Sequence, residues 1–286
     1  MNLSRTDLAV ETAEALPTGR DMFAPGTGVT KSECLLCGCP VTRIHVHTPA
    51  GARAIGKPEG RYITIDLRPA LSRQEALTGR AALCLCRELR ALLPPPSDGP
   101  ALVVGLGNDA MTPDAVGAAA LEHLLVTRHM VRSMPRQFGA LTPVAALATG
   151  VLARTGVETL ELIRGAADRL HPSVVIAIDA LAARSRHRLC ATVQLGDTGL
   201  IPGSGVGNHR KAIDKTTLGV PVVAVGVPTV IAAHLLGDGQ PEDDPLFLTP
   251  RDIDGKVREL GRVIGYGVTL ALQEGLSVED VTGLLG

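Results

Sequence analysis

The chain has 286 residues, 45% hydrophobic and 20% charged, with a formal net charge of -1. That composition suits a globular protein with a full core and gives no electrostatic footing for direct nucleic-acid binding. Aromatic residues make up 2% with no Trp, so the core must be aliphatic and the stacking platforms of single-strand binders are missing.

Residues 1 to about 30 are polar and Gly-rich and predict irregular chain with one short helix. The opening MNLSRTDLAVETAEAL has scattered charges and no apolar stretch of a secretion signal, and no apolar run approaches the roughly 18 residues of a membrane span. A cytoplasmic protein with no membrane partner is expected, its six cysteines kept as thiols. VTRIHVH (Val41 to His47) and RYITIDL (Arg61 to Leu67) alternate like strands around the turn-rich GARAIGKPEG. Residues 71 to 93 have helical spacing, and LPPPSDGP reads as a linker. Residues 1–95 are therefore expected as an N-terminal region with a small β unit, packed on an α/β core spanning 101–286.

In that core ALVVG, SVVIAID, HRLCATVQL and VPVVAVG read as buried strands. They alternate with helical patterns at AVGAAALEHLLVTRHM, GVETLELIRGAADRL, Val230 to Leu236 and most of Asp252 to Glu274. The alternation predicts an α/β fold with a mostly parallel sheet and helices on both faces, its ligand site outside the carboxyl ends of the strands.

Three segments fall at that edge. GLGNDA follows a strand and fits a dinucleotide fingerprint. However, Thr112-Pro113 delays the helix, and VRSMPRQFG stands where a strand ending in an acid is required. In TPD, Thr112 suits an N-cap, Pro113 the first helical position and Asp114 the first turn. Asp114 either complements the helix dipole or is delivered to the sheet edge as a functional acid. Asp179 ends VVIAID, where it is either a tip residue bonded to loop N–H groups or the second acid of a pair. Two facing carboxyls cannot both ionise cheaply, so one keeps a proton; such a pair can activate water and protonate a leaving amine.

The third segment is DTGLIPGSGVGNHRK. Asp197, Thr198 and Gly199 form the signature tripeptide of pepsin-like proteases, but those enzymes are all-β. With Gly203, Ser204, Gly205, Gly207 and Asn208 the segment forms either a Gly-rich cradle for substrate or a plain irregular turn. It lacks the P-loop pattern. Cys34, Cys37 and Cys39, with Cys84 and Cys86, have spacing that could suit structural zinc; reduced thiols with no metal are the favoured reading. No cofactor is expected.

RTDLAVE (Arg5 to Glu11), TPDAVG, LLVTRH, AIDALAARS, DTGLIPGSGVGNHRK and GVPVVAVGVPTV together resemble the germination proteases of spore-forming bacteria, from Arg5 to the C-terminus. The resemblance implies an endopeptidase that degrades small acid-soluble spore proteins during germination. It implies an atypical aspartic protease, made as a zymogen, tetrameric, working in the forespore or spore core. Its α/β core is related to the hydrogenase maturation proteases, and its two essential aspartates correspond to Asp114 and Asp179. The family usually carries an acidic pro-segment before RTDLAVE, whereas Met1 to Ser4 alone stand there. The usual processing is therefore not expected, and pH, dehydration or the Thr18 to Lys31 loop would have to control activity. GDGQPEDDP (237–245) replaces a longer family insertion. A metal-dependent protease of the hydrogenase-maturation type and a catalytically silent binding protein are the alternatives.

Overall fold

The structure, a computed structural model, describes residues 6–14, 23–24, 26–71, 77–207, 210–236 and 246–285. Among these, nine strands form one sheet. They are β1 (Val29–Leu36), β2 (Cys39–Val46), β3 (Gly60–Asp66), β4 (Ala101–Leu106), β5 (Val144–Gly150), β6 (Val174–Ala183), β7 (Thr192–Gly196), β8 (Val222–Ala232) and β9 (Phe247–Leu248). The order is β1-β2-β3-β7-β8-β6-β4-β5, with β9 on β8.

The sheet is mixed, not mostly parallel. β4 runs parallel to β5 and β6, and β6 parallel to β8. The pairs β1–β2, β2–β3, β3–β7, β7–β8 and β8–β9 are antiparallel. The reason lies in the connections. A parallel return needs a crossover of about a dozen residues or more. The chain between Ala183 and Thr192 holds only a short 3-10 turn at Arg186–Arg188, so β7 comes back reversed. The tight turn between β1 and β2 imposes the same reversal.

Strand alternation sorts the core. Ala101 and Val103 of β4, with Val174, Ile176 and Ile178 of β6, face one layer, built on helices Leu77–Leu92, Val116–Glu122 and Ile253–Leu272. Leu102, Val104 and Leu106, with Val175 and Ala177, face the other, packed on Leu160 and Ile163 of helix Thr159–Leu170. A third cluster joins Leu8 and Val10 to Ile44, Ile55 and Tyr62. Helices thus cover both faces, as the continuous apolar strands predict. No helix among the described residues is long and apolar enough to cross a membrane.

Several boundaries differ from the pattern-based expectation. GARAIGKPEG begins inside helix Pro49–Ile55, capped by Thr48 and closed by left-handed Gly56. Val230 is in strand, because the β-branched run VPTVI continues the ladder to Ala232; only a 3-10 turn, Ala233–Leu236, follows. Thr112 is not an N-cap: Thr112–Asp114 is itself a 3-10 turn flanked by Met111, with no side-chain cap. Asp179 does not end its strand, since β8 runs on alongside and pairs β6 as far as Ala183 with Ile231.

Candidate active site

The parallel strands stand in the order β5-β4-β6-β8. From β4 the chain first adds β5 on one side, then crosses to add β6 on the other. The crossing leaves a crevice between the carboxyl ends of β4 and β6, where ligands bind in open α/β sheets. Asp114 enters this crevice on the 3-10 turn after β4, and Asp179 stands in β6 itself.

The glycines of the first segment build this place rather than hold a nucleotide. Gly107 has a left-handed φ of 95°, and a Cβ there would overlap the Asp114 carbonyl. The tight turn that results lets the Asn108 N–H donate to Asp114 Oδ2 at 2.7 Å. Gly105 and Gly117 let helix Val116–Glu122 press against β4 and β6: a Cβ on Gly117 would stand 2.8 Å from the Ile178 carbonyl oxygen. Helices, not a strand, occupy VRSMPRQFG, at Arg128–Ser133 and Pro135–Phe138.

Asp179 is 6% exposed and shares the face of Val175 and Ala177, so it sits on an otherwise apolar stripe. Its Oδ1 accepts the Ala180 N–H at 2.9 Å. Burial, then the Asp114 carboxyl, then Asp7, push its carboxyl well above the ordinary range. Burial also raises Asp114, against the Asn108 N–H and the Arg210 guanidinium, which favour its charged form. Both acids line a cavity of about 370 Å³ whose walls include Met111, Val151, Val230 and Phe247. A second cavity of about 350 Å³ also borders Asp179, lined by Lys57, Tyr62, Thr198, Gly199 and Ser204.

The Gly-rich segment divides its residues between roles. Gly203 borders both cavities, and Gly205 the first. Gly199, Gly203 and Gly207 have left-handed φ, which folds the segment back into a Leu200–Ile213 bridge and a short 3-10 turn at Ser204–Val206. Asn208 lies outside the described residues, as does the 237–245 connection. Asp197 does not join the pair. Its two oxygens accept the Arg61 backbone N–H and Nε, each at 2.7 Å, which tie β7 to β3. This pair is partly solvent-exposed, so Asp197→Asn should lower stability by less than about 1 kcal/mol and leave hydrolysis close to wild type. Thermal melts and turnover measured together check this; an inactive but folded variant would make Asp197 the functional acid.

Among the cysteines, Cys39 and Cys84 are hydrogen-bonded in the core, Cys86 is buried apart, and exposed Cys34 accepts an N–H of Arg43 at 3.2 Å. No three His, Cys, Asp or Glu among the described residues are grouped so as to hold a metal ion.

Asp7 is a site residue that motif spacing did not single out. It borders both cavities. Its place inside RTDLAVE was the available signal, but an exposed-looking acid ahead of a short helix carries no pattern of its own.

Buried Asp179 and half-buried Asp114 line one cavity at the switch point of an α/β sheet. The sequence comparisons give the family. The germination protease family model matches residues 7–240. The chain is 36% identical to the germination protease of Caldanaerobacter subterraneus subsp. tengcongensis and 34% identical to that of Clostridium perfringens, covering 98% of both chains in each case. It is 43% identical to that of Bacillus subtilis, over 81% of this chain and 64% of the relative. The chain belongs to the germination protease family: it is a peptidase, and its substrates are proteins.

Proposed function

We propose that the protein is an endopeptidase that hydrolyses small acid-soluble spore proteins during germination, with Asp114 and Asp179 as its two working carboxyls. The supporting observation is the unequal pair in one cavity, in which Asp179, walled in by apolar neighbours, retains its proton while Asp114 meets cationic and N–H partners. Groups whose environments push them apart divide the acid and base roles. Asp114 takes a proton from water as the water oxygen bonds to the scissile carbonyl carbon. Asp179 gives its proton to the amine nitrogen as the C–N bond breaks, and the proton on Asp114 then restores the pair. The two cavities that meet at Asp179 suit the two flanks of an extended peptide. The same reading carries a homotetramer in the cytoplasm of the forespore or spore core.

The test is incubation with a purified small acid-soluble spore protein and mass mapping of the fragments. Discrete internal cleavages are expected, absent with Asp114→Asn or Asp179→Asn and unchanged by a chelator. Cleavage abolished by chelator and restored by zinc would overturn the two-carboxyl reading.

A further inference from the structure

We propose that Asp7 is a positioning residue of this site, which fixes the wall between the two cavities and sets which acid of the pair keeps the proton. The inference rests on the two-carboxyl reading above and deepens it.

Asp7 comes from a segment far from the other acids in sequence, yet it is fastened at every polar atom. Its N–H donates to the Ala182 carbonyl at 3.2 Å, and its carbonyl accepts Lys57 Nζ at 2.9 Å and Gln194 Nε2 at 3.0 Å. Its Oδ2 accepts the Ala182 N–H at 2.9 Å, and Oδ1 the Ser204 hydroxyl at 2.6 Å. A carboxylate, an acceptor only, matches these two donors. The carboxylate therefore clamps the Gly-rich segment to the end of β6, a few residues past Asp179. Gly205 leaves the room, since a Cβ there would overlap Asp7 Oδ2. Among the described residues, Asp7 and Asp179 are the carboxyl groups that border both cavities, while Asp114 borders the first and Asp214 the second.

The charges around Asp179 come from every side of the cleft. Asp114 faces it from the turn after β4, and Asp7 from the N-terminal segment. Arg210, paired with Glu158 at 3.5 Å, faces Asp114. Lys57 is desolvated and faces Asp7 and Glu11. The negative charge of Asp7 disfavours a second one on Asp179, while Arg210 favours charge on Asp114. Asp7 thus assigns the acid role to Asp179 without touching the substrate.

Asp7→Asn removes the charge and keeps the clamp, because the amide oxygen can accept from Ala182 and the amide nitrogen donate to Ser204. Carboxyl 13C NMR of the full chain, without substrate, should show the Asp179 midpoint lowered by about one pH unit. The alkaline limb of kcat/KM on the spore protein should move down by a similar amount, with KM within about twofold, because an acid that must be protonated is lost as pH rises through its pKa. Should Asn not be accommodated, Asp7→Ser is the second neutral variant. An unmoved Asp179 midpoint in a folded variant overturns the proposal. Because the NMR titration needs no turnover, it still decides the matter if the spore protein is not cleaved; in that case the functional reading alone fails.

Discussion

Asp179→Asn is expected to abolish peptide hydrolysis and, at neutral pH, to raise the melting temperature. The first half follows from the acid role: losing one member of an acid–base pair costs at least about a hundredfold in rate. The second follows from linkage. Asp179 has a carboxyl pushed well above its ordinary range by burial and by Asp114 and Asp7. The folded state therefore binds a proton that the unfolded chain releases. Stability contributed by that protonated form is present below the unfolded pKa and falls as pH rises toward the folded one. Asn carries no such dependence, so the variant gains relative to wild type across that window and the gain vanishes in acid. Asp114→Asn should lose activity to the same degree with a weaker gain, since its shift is opposed by the Asn108 N–H and Arg210. Paired melts at acid and neutral pH with single-turnover assays check both. A folded Asp179→Asn enzyme with near-normal turnover removes Asp179 from the chemistry.

The sequence made the parallel half of the sheet readable because its strands are continuous apolar runs with helical segments between them. β5 escaped, because VAALATG is small and weakly patterned, and between buried Val144 and Thr149 its residues alternate between half-buried and exposed at a sheet edge. β1 escaped for a related reason: TKSECL is polar and exposed along nearly its whole length, and only its pairing with β2 makes it a strand. The direction of β7 was beyond periodicity altogether, since alternation gives a strand's faces and not its sense. The two acids at the crevice could be proposed from the sheet-edge rule and from family likeness, but Asp197 could be set apart only by geometry, through its two bonds to Arg61. Asp7 is legible only in three dimensions, because its role depends on Ala182 and Ser204, remote in the chain.

Gly117→Ala should be nearly as damaging as loss of an acid, though it bears no functional group. A single added methyl at Gly117 would lie 2.5 Å from the Leu106 nitrogen and 2.8 Å from the Ile178 oxygen, and would overlap the Leu106 carbonyl. These are backbone atoms of the two central strands and cannot rotate aside. The helix Val116–Glu122 would have to lift off the sheet, although Val116 and Ala120 on it are fully buried. Overpacking of this kind costs about 3 kcal/mol, which for a chain of this size lowers the melting temperature by about 6 °C. The chemical consequence is larger than the thermal one. The turn Thr112–Asp114 leads directly into this helix, so a lifted helix moves Asp114 away from Asp179, and misplacement by about 1 Å can cost a hundredfold in rate. Gly283→Ala, in helix Val278–Leu285, meets nothing within 4 Å and serves as the comparison. The expected result is a destabilised, almost inactive Gly117→Ala protein beside a Gly283→Ala protein of unchanged rate; equal activity in the two would show that the close approach of helix and strands does not position Asp114.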